Sequence, residues 1–194
     1  MTAAPEPRRL STGEDAAHAV IQLSRHPVIF LVGARATGKT TIARLLAGRL
    51  GWDWVDADHA LEARWGKSVR AIFAEEQEAG FRRKEAALLE ELCGLRRHVV
   101  ATGGGVVLAP ANRERLRAAG RVVWLTADPA TLWHRLLQDP ATAERRPDLT
   151  VGGLAEVEQV LLAREPLYRA CAHDEVSTVG RTPGQVLEAV LAVL

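Results

Sequence analysis

The sequence predicts an α/β domain of three layers, a mostly parallel sheet with helices on both faces. Three observations predict it. From Val28 onward, short apolar runs alternate with helical stretches. The first of these runs, VIFLV at 28–32, breaks at Gly33 and passes through a small loop into Gly38-Lys39-Thr40-Thr41 at the start of a helix. The length, 194 residues, suits one compact domain that can bury a full core.

The elements follow in order. Residues 1–10 are polar, carry two prolines and read as a loose tail, and 14–24 can form a short helix with Ala17, Val20 and Ile21 on one face. Residues 1–26 are therefore expected to be a partly disordered N-terminal extension and 27–194 the domain. Apolar runs at 28–32, 54–57, 98–102, 121–126 and 175–178 read as buried parallel strands. Helices are expected at 39–50, 60–65, 68–79, 81–95, 110–119, 129–138, 154–170 and 183–194. The stretch 139–153, DPATAERRPDLTVGG, has loop composition between two helices, and a loop of that length is seldom idle.

Bulk composition narrows the classes. A formal net charge of +1 gives no long-range reason to expect nucleic acid or a membrane surface as partner. No apolar run approaches the ~18 residues of a membrane span. The N-terminus lacks the apolar core of a secretory signal, and Glu6, Glu14 and Asp15 argue against a transit peptide, so a cytoplasmic location is expected. Cys93 and Cys171 have no metal-ligand spacing and read as reduced, structural thiols. Of 25 basic residues only Lys39, Lys67 and Lys84 are lysine, which makes Lys39 the informative cation.

Gly33-x4-Gly38-Lys39-Thr40 is the P-loop pattern, lying after a strand and at the start of a helix, where the pattern needs to lie. Backbone N–H groups of Ala36, Thr37 and their neighbours can cradle phosphate oxygens, and the helix N-terminus adds roughly half a positive charge. Lys39 is expected to reach the β- and γ-phosphates, and the Thr40 hydroxyl to ligate Mg²⁺. A GTPase would carry an N/T-K-x-D guanine motif, and none is present. An ATPase motor would end a later apolar strand in a carboxylate, whereas HVVATGGGV at 98–106 ends in threonine and glycine. A small-molecule or nucleotide kinase remains.

The acceptor side is drawn by three segments. Asp56 and Asp58 flank Ala57, and strand alternation would put both on one face at the ligand-binding end of a parallel strand. One can hold a metal through water and the other can take an acceptor hydroxyl; two solvated acids opening a helix is the competing reading. GFRRKE at 80–85 places Arg82, Arg83 and Lys84 in what reads as a first helical turn, against the dipole, so a nearby anion would explain them. Arginine has the planar fork for a carboxylate, and Glu85 at i+3 could hold Arg82 in place. Gly103, Gly104 and Gly105 then end the third strand, where a ligand can approach the backbone closely. Together these describe a pocket for a small, hydroxylated, carboxylated molecule.

In this order the segments resemble the shikimate kinase family over roughly residues 27–194. The P-loop with its trailing Thr-Thr, V-D-A-D, A-G-F-R-x-x-E, A-T-G-G-G-V-V, N-R at 112–113, R-P-x-L-T at 146–150, R-x-P-L-Y at 164–168 and R-T-P-G at 181–184 carry the resemblance. It implies a P-loop kinase fold like that of the nucleoside monophosphate kinases, with five parallel strands in order 2-3-1-4-5 and a lid at about 139–153. It implies transfer of the γ-phosphoryl of ATP to the 3-hydroxyl of shikimate, with Mg²⁺, in a protein that is commonly monomeric. Position by position, Thr40 resembles the direct Mg²⁺ ligand and Asp56 its water-mediated partner. Asp58 resembles the residue bonded to the shikimate hydroxyls, a candidate for orienting or deprotonating the nucleophile. Arg82 and Arg164 resemble the carboxylate clamp, and Gly104 a backbone donor to the substrate. Arg146 resembles the lid arginine over the ATP phosphates, Arg181 the residue on the adenine, and Arg135 a weaker candidate for that face.

Three departures are visible. Ala36 stands where the family usually has glycine, and if that position needs φ > 0 the strain is on the order of 1–2 kcal/mol. The lid reads Arg145-Arg146-Pro147-Asp148-Leu149, so either arginine can take the catalytic part. The N-terminal extension has no counterpart. Two other readings stand beside this one. The first is another small-metabolite kinase of the same fold, such as a gluconate kinase, and the second is a non-catalytic nucleotide-binding homologue supported by Ala36.

Overall fold

The computed structural model describes residues 27–138 and 153–194. The N-terminal extension at 1–26, most of the expected lid at 139–153, and Arg145 and Arg146 with it lie outside the described residues.

The chain builds five parallel strands: β1 (Val28–Val32), β2 (Asp53–Asp56), β3 (His98–Ala101), β4 (Arg121–Thr126) and β5 (Asp174–Ser177). They lie side by side in the order β2-β3-β1-β4-β5. Seven α-helices are described: α1 (Lys39–Leu50), α2 (Ala57–Trp65), α3 (Val69–Cys93), α4 (Pro110–Ala119), α5 (Pro129–Gln138), α6 (Leu154–Cys171) and α7 (Pro183–Leu191). A 3₁₀ turn covers Val106–Leu108. None of the helices among the described residues is long and apolar enough to cross a membrane.

The central strand β1 is apolar at every position because both its faces are covered, and all five residues are inaccessible to solvent. Alternation divides them. Val28, Phe30 and Val32 join a core with Leu61, Ile72, Phe81, Leu116 and Tyr168 from α2, α3, α4 and α6. Ile29 and Leu31 face the other way, onto Ile42 and Leu46 of α1 and Val186 and Val190 of α7. These two cores are the outer interfaces of the three layers.

Local chemistry sets the helix ends. Gly51 and Gly66 take left-handed conformations that stop α1 and α2, with φ of 64° at each. Ser68 caps α3 through Ala71 N–H, and Thr182 with Gln185 forms a reciprocal capping box on α7.

Two expectations need correction. β2 and β5 are not buried strands: they are the sheet edges, and Asp53, Trp54, Glu175 and Ser177 are exposed. The helices expected at 68–79 and 81–95 form one run broken at Gln77, whose φ of 59° and ψ of −178° are not helical. The break turns the chain so sharply that a Cβ on Gly80 would lie 2.3 Å from Glu76 Cβ. Gly80 marks the break in the sequence because nothing larger fits after the turn. The remaining element boundaries shift by a residue or a few.

Candidate active site

The phosphate loop leaves β1 at Gly33, where a Cβ would stand 2.4 Å from the Leu125 carbonyl oxygen, so only glycine fits. The loop enters α1 through Gly38 at φ 89°. Between them Ala36 has φ 64°, the left-handed conformation that the sequence made conditional. Thr37 is buried and its hydroxyl donates to Ala34 O at 2.9 Å. Lys39 Nζ bends over the same loop and donates to Gly33 O at 2.9 Å and Ala34 O at 2.7 Å. Ala36, Gly38 and Lys39 line one cleft at the α1 N-terminus, where an anion is favoured.

Asp56 ends β2 and caps α2. Its Oδ1 accepts from Asp58 N–H at 3.0 Å and His59 N–H at 3.2 Å, and its Oδ2 accepts from Thr40 Oγ1 at 2.6 Å. This corrects the strand-alternation argument. Asp58 is not on the strand at all but in the first turn of α2, and the helix start brings it into the cleft beside Asp56. A hydroxyl and a carboxylate in contact at the loop mouth form an all-oxygen donor set, which suits a small hard cation such as Mg²⁺. Among the described residues no cluster of three or more His, Cys, Asp or Glu side chains could hold a metal alone.

One cleft is lined by Lys39, Thr40, Asp56, Asp58 and Gly104. An adjoining cavity shares Arg35 and Gly104 with it and carries Arg82 and Arg164 on its wall. Arg82 does not occupy a first helical turn, because α3 resumes after Gln77. Its position is explained by two carboxylates instead: Nη1 donates to Glu85 Oε2 at 2.7 Å, and Nε and Nη2 donate to Glu78 Oε1 at 3.2 and 3.1 Å. Burial opposes the charge, and the facing Glu85 and Glu78 carboxylates outweigh it, leaving the pKa above the ordinary guanidinium value. The expected Glu85 support is present, and Glu85 is itself buried.

The three glycines form the floor. Gly103 and Gly105 carbonyls accept from Val106 and Leu108 N–H at 3.2 and 3.0 Å, which builds the 3₁₀ turn. The Gly104 carbonyl accepts from Tyr168 Oη at 2.5 Å and Arg164 Nη1 at 3.4 Å. Among the described residues its N–H has no acceptor, so the amide is available to a ligand. Gly105 lies against the Arg82 guanidinium.

Some residues quoted in the motifs, Asn112, Arg113 and Tyr168, were given no role by the sequence. Tyr168, inaccessible to solvent, holds the glycine floor from below. Its signal was its place four residues after Arg164, one turn on along the same helix face. Asn112 and Arg113 donate to Val106 O at 3.1 Å and Val107 O at 2.6 Å, and so pin the turn that follows the glycines. On the far side of the P-loop, Arg135 and Arg181 line one cavity with Ala36, Thr41 and Pro183. Arg181 Nη1 donates to Ser177 O at 3.1 Å. Arg135 instead donates to Ala36 O and Thr178.

Comparison with known proteins points one way. Residues 35–194 match the family described as shikimate kinase. A shikimate kinase of Rhodopirellula baltica is 44% identical over 164 residues, covering 84% of this chain and 88% of that protein. One of Thiobacillus denitrificans is 44% identical over 157 residues, covering 80% and 84%. The shikimate kinase from Acinetobacter baumannii, solved in complex with shikimate, superposes with a TM-score of 0.82 at 34% identity, covering 89% of this chain and 95% of that one. A gluconokinase from Sinorhizobium meliloti, at 17% identity and a TM-score of 0.57 over 87% and 91% of the two chains, shares the fold alone.

Proposed function

The chain belongs to the shikimate kinase family, and from that membership and the cleft geometry we propose how its residues divide the work of phosphorylating the 3-hydroxyl of shikimate with ATP. The observation that carries the reading is convergence: Lys39, Thr40, Asp56 and Asp58 line one cleft, and Gly104 joins it to the cavity that holds Arg82 and Arg164.

The P-loop amides and Lys39 bind the triphosphate, and Lys39 leaves its two loop carbonyls to follow the charge that spreads over the transferring group. Thr40 would hold Mg²⁺ directly and Asp56 would hold it through water, and the ion would supply charge neutralisation on the transferring phosphate. Arg82 and Arg164 take the shikimate carboxylate, with the Gly104 N–H as a further donor, and this fixes the ring so that its hydroxyls face the P-loop. Asp58, at the cleft end nearest Asp56, receives the acceptor hydroxyl and orients it or takes its proton. Arg146 is assigned the transition-state charge from its place in the R-P-x-L-T match alone.

The test is an ADP-release assay with Mg²⁺ and ATP, run with shikimate, with gluconate and with no acceptor. Release that depends on shikimate and exceeds both controls supports the assignment. Equal release in all three would remove shikimate as the acceptor.

A further inference from the structure

Ala36 holds a conformation that a residue with a Cβ avoids. At φ 64° it is disfavoured roughly 5- to 30-fold relative to the right-handed region. The loop nevertheless needs this bend for its amides to turn inward. What grips it is Arg135, a residue of α5 distant in the sequence. Its Nη1 donates to Ala36 O at 3.2 Å and to Thr178 Oγ1 at 2.9 Å, and its Nη2 donates to Thr178 O at 2.8 Å. Thr178 is buried just beyond β5 and tied back to the sheet, with N–H and Oγ1 donating to Thr126 O at 2.8 and 3.0 Å. Both terminal nitrogens are thus anchored to Thr178, and Nη1 also reaches the P-loop carbonyl. Rotating residue 36 into the right-handed region would swing that carbonyl away and break the bond.

We propose that Arg135 is a positioning residue that holds Ala36 in its left-handed conformation and so keeps the P-loop amides aimed at the nucleotide phosphates. The planar fork divides the work between two nitrogens, Nη2 on the Thr178 carbonyl and Nη1 on the Ala36 carbonyl. The proposal rests on the P-loop as nucleotide site and not on the identity of the acceptor. It differs from an adenine-stacking role, because stacking has no reason to depend on which residue occupies position 36.

The experiment is a double-mutant cycle read by calorimetric binding of ATP with Mg²⁺ and no acceptor, so it stands apart from the turnover assay. The four proteins are the unsubstituted chain, Arg135→Ala, Ala36→Gly and the double variant, each checked by thermal melting. Arg135→Ala is expected to weaken ATP binding on the order of 10-fold or more when Ala36 is present. In the Ala36→Gly background, where the left-handed conformation carries no Cβ penalty, the loss should shrink to about 3-fold or less. Equal losses in both backgrounds would overturn the proposal and leave Arg135 to the nucleotide base, and no loss beside Ala36 would overturn it too. Arg135→Lys keeps the charge without the fork and carries the same test if the alanine variant does not fold.

Discussion

Gly105→Ala is the sharpest perturbation of the proposed carboxylate clamp, because it alters the clamp without touching it chemically. The backbone accepts alanine: Gly105 has φ −101° and ψ 1°, outside the left-handed region. The added Cβ, however, would lie 2.4 Å from both Nη1 and Nη2 of Arg82 and 2.7 Å from its Cζ. An ordinary contact needs at least about 3.4 Å, so the guanidinium must retreat by roughly 1 Å. It is not free to do so cheaply, since the 2.7 Å bond to Glu85 and the two bonds to Glu78 fix it. Loss of one charge-assisted hydrogen bond to the substrate is worth about 1.5–3 kcal/mol, or roughly 10- to 150-fold. Steady-state kinetics on both substrates should show the shikimate KM raised by that factor and the ATP KM unchanged. Arg82→Ala should give a similar rise, and Gly105→Ala added to it should do little more, because its effect runs through Arg82. An unchanged shikimate KM in a folded Gly105→Ala protein would refute the clamp as drawn.

Asp58→Asn is expected to lower kcat by orders of magnitude while ATP binding persists; near-normal turnover in a kinetic comparison would end its proposed role. Arg146→Ala should lower kcat far more than Arg145→Ala, and the reverse ranking in the same assay would transfer the part to Arg145. Burial pushes the Cys171 thiol up to about 11 from its ordinary 9.0, so the native protein should leave it unmodified by a neutral thiol reagent at pH 8. The folded thiol keeps its proton to higher pH than the unfolded one. Its stabilising contribution is therefore present below pH 9.0 and lost as pH rises through about 11, and Cys171→Ala should flatten that slope in urea titrations.

The parallel strands and the P-loop were legible because each rests on local chemistry, apolar runs and a glycine loop before a helix, whereas the sheet order followed only from the family resemblance. Arg82 with Glu85 was legible from local chemistry too, as an i+3 pair on one helix. What the sequence misread was direction and distance. Asp58 was placed on a strand because a period of two and a helix start look alike over three residues. The break at Gln77 left no glycine or proline at its own position, only Gly80 three residues on. Arg135 on Ala36 is a contact across 99 residues that no local pattern announces, and Tyr168, quoted in R-x-P-L-Y, gave no sign of its reach to Gly104 across 64 residues. The strain at Ala36 was foreseen as a condition, and its restraint was not.

The central claim is that this cleft carries the phosphoryl group of ATP to the ring hydroxyl of shikimate. ³¹P and ¹H NMR of one reaction with Mg²⁺, ATP and shikimate tests it most directly. The account predicts a phosphomonoester resonance coupled to the ring proton at carbon 3, growing as ADP appears. Inorganic phosphate without an ester, or an ester on another hydroxyl, would contradict it.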